Sequence, residues 1–455
     1  SPSFRQLSIV PLSEKLPSSS QEWHSRILAL SWPVIISNLS IPLVGLADVA
    51  VMGQLSEPSY IGAIAVGAAI FSAIYWLFGF LRMGTTGLVA QAFGAKEPGE
   101  VARTYVRAFF IATSLGFVLI AIQHPMSFAL FSLFNASDEV QNMTRQYFSI
   151  RIYGAPAVLI TLASLGVLFG LQKMKSTLIL TAVLNLTNLI LDIVFVLIFE
   201  LGVEGIALGT LISEWFSALL GCFIVVNAIS ARNVTWDIRA SLRKGSEFTK
   251  LFNVSGNLFI RTFFVQIPFF VGTILATDFG EVTLAAHGIL MQLYFVMTYG
   301  LDGFAHTAES LSGYSYGAND RRQFEQSCYY CFVWAGVLSA FIALTYLIFA
   351  EPFISYLTTS EDVRISANQF IPWIALAPIL CVGAFILDGI FIGITHIRQM
   401  RNSMFFASIV WAATLISTYS LIHYHAIWLS MSAFMLSRTI FLGYYFRVVL
   451  QRLSS

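Results

Sequence analysis

From Phe332 to Ala350 the chain runs nineteen residues without a charged side chain, the length an α-helix needs to cross the hydrocarbon core of a bilayer. That run is one of a dozen. Apolar stretches recur at 27–52, 61–93, 104–123, 147–171, 176–199, 203–229, 250–277, 282–316, 326–350, 367–395, 402–422 and 426–449. Lipid offers no water to backbone N–H and C=O groups, so such segments fold as helices that satisfy their own hydrogen bonds. Composition agrees: 57% of the 455 residues are hydrophobic, 11% are charged and mean hydropathy is +0.76, where soluble domains carry about 25% charged residues. The expected fold class is an all-α integral membrane protein with twelve transmembrane helices. A formal net charge of +1 supplies no field to hold nucleic acid, and that class of partner is set aside.

Cationic residues orient the spans, because Lys and Arg gather in cytosolic loops. Nineteen of the 25 fall on one side, in the tail, in every second connection and after the last span, with the largest group being Arg232, Arg239, Arg243, Lys244 and Lys250. The other side takes Arg145, Arg151 and Arg364, while Arg82, Arg261 and Arg438 lie within spans. Both termini are therefore expected in the cytosol of a cell whose plasma (inner) membrane holds the chain. Residues 1–26 are polar, lack an apolar core and read as a cytosolic tail rather than a secretory signal. The cysteines, Cys222, Cys328, Cys331 and Cys381, fall in or beside apolar segments, which suits core packing better than a disulfide framework.

The basic connection near the midpoint divides the chain into 27–229 (six spans), a cytosolic linker at 230–249, and 250–450 (six spans). A constant shift of 223 residues carries Leu88, Gly94 and Ala95 onto Leu311, Gly317 and Ala318, and Gly170 onto Gly393. Six spans per half send both halves into the membrane in the same direction. The two lobes are then related by a pseudo-two-fold axis along the membrane normal, with a transport path between them.

Ionisable groups within spans are costly and mark functional sites or their partners. Asp48 stands fifteen positions beyond Pro33 in an otherwise uncharged first helix. Asn185, Asn188 and Asp192 recur at spacings of three and four, which places them on one helical face. Alternatively, Asp48 is a wetted residue at the outer mouth and the Asn–Asn–Asp row is a polar seam between helices. Glu214, Arg261, Glu309 and Asp388 are secondary candidates: Glu214 with Arg438 or a backbone group near the middle of its helix as partner, and Asp302, Glu309 and Asp388 as neutralisers of Arg261. Arg82 has no partner evident from sequence. His287, His306, His423 and His425 stand singly, as hydrogen-bonded filler does. No metal-ligand spacing, Walker sequence, nucleophile elbow or dinucleotide fingerprint occurs, so no enzyme, ATP-driven pump, cofactor or metal is expected.

Pro33 and Asp48, the run Gly84-Thr85-Thr86-Gly87-Leu88-Val89-Ala90-Gln91-Ala92-Phe93-Gly94-Ala95, its echo from Glu309 to Ala318, and the stretches Gly170–Asp192 and Gly202–Thr210 together resemble the multidrug and toxic compound extrusion (MATE) family, over nearly the whole chain beyond residue 26. Asp48, Asn188, Asp192 and Thr210 are similar to the set of its DinF branch. That resemblance implies proton-responsive carboxylates in the amino-terminal lobe and a first helix that bends at Pro33. In the NorM branch, cation-site acids lie in the second lobe. Here the seventh span offers Arg261 and Gln266 instead, and Asp388 is the one echo of that pattern.

The function expected is proton-coupled antiport by alternating access, exporting cationic amphiphilic compounds. Asp48 and Asp192 couple to the proton, with Asn185, Asn188 and Thr210 as the supporting polar cavity. The transported ions are H+ or, in the alternative, Na+. The partners are small-molecule drugs or organic cations and membrane lipids, and the chain is expected to be a monomer. A lipid-linked precursor flippase is the remaining alternative. It wants a cationic cleft, for which Arg82, Arg261 and Arg438 are the candidates.

Overall fold

A computed structural model describes residues 17–52, 58–131, 138–232, 234, 236–243 and 245–453, with backbone alone at 42–52, 58–62, 65 and 246. The first lobe comprises α1 (Ser20–Met52), α2 (Pro58–Leu77), α3 (Phe80–Gly94), α4 (Pro98–Ala121), α5 (Gln123–Phe131), α6 (Asp138–Arg151), α7 (Ala155–Gly170), α8 (Met174–Asp192) and α9 (Gly202–Ser230). The short α10 (Ile238–Arg243) bridges to the second lobe: α11 (Gly245–Ala276), α12 (Glu281–Gly317), α13 (Arg321–Leu357), α14 (Glu361–Asn368), α15 (Ile371–Gly393), α16 (Ile397–Ile422) and α17 (His425–Arg452). Eleven segments of the described chain are long and apolar enough to cross a membrane. With α1 they make twelve spans in two six-helix lobes, since α2 with α3 and α6 with α7 form interrupted single spans.

The interruptions have local causes. Phe78 and Gly79 donate to the carbonyls of Tyr75 and Trp76, three residues back, which tightens the chain between α2 and α3. Pro156 lies in the first turn of α7, where the missing N–H costs nothing. After Asp192 the helix widens into a π turn over Ile193–Ile198. Ahead of Arg321, the Asp320 carboxylate caps α13, accepting from Gln323 N at 3.0 Å; this satisfies one of the orphan donors of a helix start.

Each lobe has its own apolar core. Phe71, Tyr147, Phe148, Leu159 and Ile160 centre the first; Leu290, Tyr294, Ile374, Trp428 and Phe434 centre the second. A further cluster containing Trp23, Ile27, Leu258, Phe304, Phe324 and Phe391 joins the lobes on the side where the chain's ends emerge. There Trp23 donates to Gln326 at 3.1 Å and Phe324 packs on Phe446, so the first and last described helix ends share a face, hereafter the termini face.

Between lobes, Gln91 donates to Gly393 O at 2.9 Å and to Thr395 Oγ1 at 3.0 Å, Ser31 and Thr307 share a hydrogen bond of 2.8 Å, and Ser310 donates to Phe169 O at 2.7 Å. Asn38 donates to Tyr299 O at 3.4 Å, about 22 Å deeper along α1 than Trp23 at 1.5 Å rise per residue. The lobes are thus closed against one another at the termini face.

Candidate functional site

α1, α2, α3, α6, α7, α8 and α9 of the first lobe line, with His306 of α12, a cavity of about 460 Å³. Its apolar lining includes Ile41, Leu162, Leu165, Phe169 and Leu184, and its polar lining includes Asn38, Asn185, Thr161, Arg82, Arg151, Glu214 and His306. Such a mixture, mostly apolar with a few placed polar groups, is the usual make-up of a small-molecule site.

The seam between α1, α8 and α9 forms much as the three-and-four spacing predicts. Asn185 donates to Ser40 Oγ at 3.1 Å and Asn188 to Thr210 Oγ1 at 3.2 Å. Of these, Asn185 lines the cavity. Asp192 ends α8, 1% exposed, seated against Gly209: a Cβ there would fall well inside contact distance of Asp192 Oδ1. The phenol of Tyr147 accepts from Arg151 Nη1 at 2.9 Å. Arg151 lines the cavity. Pro33 is buried within a continuous α1. Asp48 belongs to the same helix, but its side chain lies outside the described residues, as do residues 1–16 of the tail and Lys244 of the linker.

The structure corrects two pairings and one placement. Glu214 is not beside Arg438; its Oε1 accepts from Arg151 Nη2 at 3.3 Å. Arg151, counted with the outer-side cations although the expected span 147–171 contains it, is the last residue of α6 and faces the cavity; α6 and α7 form one span beginning at Asp138. Glu309 does not serve Arg261. It is the partner of Arg82 across the lobe interface, 3.3 Å away, with Arg82 also 5.3 Å over the Phe169 ring and His306 edge-on to the same ring at 4.9 Å. Asp388 does pair with Arg261, as expected, and Arg438 reaches the same carboxylate oxygen.

Sequence reasoning passed over Tyr75, Thr161, Tyr147 and Gly209. The Tyr147–Arg151 spacing of four, on a segment already apolar, is the one signal that pointed toward them. Among the described residues no group of three or more His, Cys, Asp or Glu side chains comes together as a metal site.

The profile of the MatE family matches residues 33–194 and 258–415. The chain is 34% identical to DNA damage-inducible protein F of Escherichia coli over 416 residues, covering 91% of this chain and 89% of that one. It is 25% identical over 359 residues to the probable multidrug resistance protein NorM of Bacillus anthracis, covering 76% and 77% of the two chains. A solved MATE transporter of the MOP superfamily, described as outward-facing, superposes with a TM-score of 0.86 at 18% identity over 95% of this chain and 97% of its own. A MOP superfamily transporter from Pyrococcus furiosus superposes at 0.84 with 19% identity over 95% and 97%. The protein is a polytopic membrane transporter by fold, and it belongs to the MATE family.

Proposed function

We propose that this chain is a proton-coupled antiporter that exports cationic amphiphilic compounds by alternating access, the reading supported by the cavity of about 460 Å³ that mixes apolar walls with buried ionisable groups in the first lobe. Relatives named as multidrug resistance and multidrug export proteins support the cargo class. Asp48 and Asp192 are the proton-coupling carboxylates. When ionised they favour a cationic cargo; when protonated from outside they release it, and α1 bends at Pro33. Like charges in a low-dielectric site resist joint ionisation, so the pair holds one proton near neutral pH and titrates as a unit.

The driving force is adequate. Each pH unit supplies about 1.4 kcal/mol per proton and each 100 mV about 2.3 kcal/mol per charge, enough for one or two protons to bias a two-state cleft. Protons rather than sodium suit the second lobe, because Asp388 already carries two guanidinium partners. A flippase clamp for pyrophosphate is poorly supported, since Arg82, Arg261 and Arg438 each lie against a carboxylate. We place the chain as a monomer in the plasma (inner) membrane with both termini cytosolic.

Ethidium efflux from proteoliposomes under an imposed pH gradient tests the reading. Wild type should transport, while Asp48→Asn and Asp192→Asn should each lose gradient-driven efflux. Unchanged efflux in both variants removes the mechanism, and absent wild-type efflux removes the function.

A further inference from the structure

The ion pair between Arg151 and Glu214 is lopsided. Arg151 is held without its partner: Nη1 donates to Tyr147 OH at 2.9 Å, and the guanidinium lies 4.7 Å over Phe71 and 5.6 Å from the Tyr147 ring, cation–π geometry that stabilises a desolvated charge. Glu214 has no such second support among the described residues. Its Oε1 takes one contact of 3.3 Å, long for a charge-assisted bond, where 2.7–2.9 Å is usual. Its Oε2 is buried against Gly154, where a Cβ would collide with it, and has no hydrogen-bond partner among the described residues.

Three more buried polar atoms on residues lining the same cavity share that condition: Tyr75 OH, Thr161 Oγ1 and Arg151 Nε. Buried polar groups are nearly always hydrogen-bonded, because leaving them unpaired is costly. Four such atoms around one cavity make a built polar pocket with an acceptor that carries charge. Arg151 can leave Glu214 and keep its bond to Tyr147 and its ring contacts; Glu214 cannot lose a cation without gaining another donor.

We infer that Glu214 is the specificity-determining residue for the cargo's head group, with Arg151 as a tethered stand-in that an incoming ammonium or amidinium displaces, while Tyr75 and Thr161 take the head's remaining hydrogen bonds. This deepens the cationic-cargo reading and rests on it. A head with N–H donors is favoured over a cation that has none, because the pocket offers directional acceptors as well as charge. The apolar remainder of the cargo lies along Leu162, Leu165 and Phe169.

The test is equilibrium binding to the full-length protein purified in detergent, with two cationic probes: DAPI, whose amidinium groups donate hydrogen bonds, and tetraphenylphosphonium, which has no donor. Glu214→Gln should weaken DAPI binding at least tenfold and tetraphenylphosphonium binding less. Arg151→Met removes the built-in competitor and should tighten DAPI binding at least threefold. If Glu214→Gln leaves too little folded protein, Arg151→Met/Glu214→Gln removes both charges together and carries the same expectation of weakened DAPI binding. DAPI affinity within twofold of wild type in the glutamine variants, or weaker binding in Arg151→Met, overturns the inference and leaves the cationic-cargo reading standing. A wild type that binds neither probe overturns both.

Discussion

Gly94 of α3 and Gly317 of α12 each press against the other helix's backbone: a Cβ on Gly94 would collide with the Tyr314 carbonyl oxygen, and one on Gly317 with that of Gln91. The shift of 223 residues turns Gly94 into Gly317 and Gln91 into Tyr314, so this is one contact seen from both sides of the pseudo-two-fold axis. The same shift relates Gly166, beneath the Arg82 carbonyl, to Gly389, beneath that of Ala305, and Gly170 at Thr86 to Gly393 at Glu309. Small residues let membrane helices approach closely, and packing drives their association where lipid gives no hydrophobic incentive. Gly94→Ala and Gly317→Ala should therefore each destabilise the protein by a similar amount, about 1–3 kcal/mol as overpacking costs. Thermal unfolding of the purified variants reads this directly. One neutral and one damaging substitution would contradict the symmetry of the contact.

Asp388 carries two guanidinium partners on one oxygen, with Arg438 3% and Arg261 9% exposed. Removing the shared carboxylate leaves two buried cations facing each other, whereas removing one arginine leaves a pair. Asp388→Asn is expected to lower stability by about 3–5 kcal/mol, the cost of breaking a buried ion pair, and Arg261→Met by less. The order of the two melting temperatures checks the claim. If Asp388→Asn folds as well as wild type, the triad is not what holds α11, α15 and α17 together.

Arg82 and Glu309 tie the lobes where alternating access must part or roll them. Both are at least nine-tenths buried, so the link is little screened by salt. Single substitutions Arg82→Gln and Glu309→Gln should each destabilise, and the double variant should cost less than their sum by about 0.5–3 kcal/mol, as residues in contact do. Additive effects would show that the pair is not energetically coupled.

Much of this was legible in the sequence, and the limits have physical reasons. The bilayer fixes a length, so every expected span has its helix, with bounds that match closely in some, as for α12, expected at 282–316 and covering Glu281–Gly317, and start nine residues early in the fourth, expected at 147–171 and beginning at Asp138. Glycines that meet backbone across the axis announced themselves as a repeat. Partnerships did not. Glu214 and Arg151 are 63 residues apart and Arg82 and Glu309 are 227 apart, and nothing local says which helices the packing will set side by side. Arg151 misled for a related reason: near the outer end of the expected span 147–171 it counts with the outer loop, until α6 extends the span back to Asp138 and carries it inside. The short helices α5 and α10 escaped notice because neither spans the membrane.

Gly209 positions Asp192. In α9 its missing side chain makes room for the carboxylate at the end of α8, and an added Cβ would meet Oδ1 well inside contact distance while lying 3.3 Å from the Asp192 backbone N and the Leu191 Cβ. The backbone on that side leaves no retreat, so Gly209→Ala must turn the carboxylate away or push α8 from α9, disturbing the nearby hydrogen bond from Asn188 to Thr210. If Asp192 couples proton to cargo, Gly209→Ala should reduce gradient-driven ethidium efflux at least tenfold, a loss of about 1.4 kcal/mol of coupling, while DAPI still binds at the Glu214 end of the cavity. Efflux from proteoliposomes and binding in detergent separate the two effects. An alanine variant that pumps with wild-type rate and pH dependence would mean that the placement of Asp192 does not matter to transport, and the proton would have to be sought on another carboxylate.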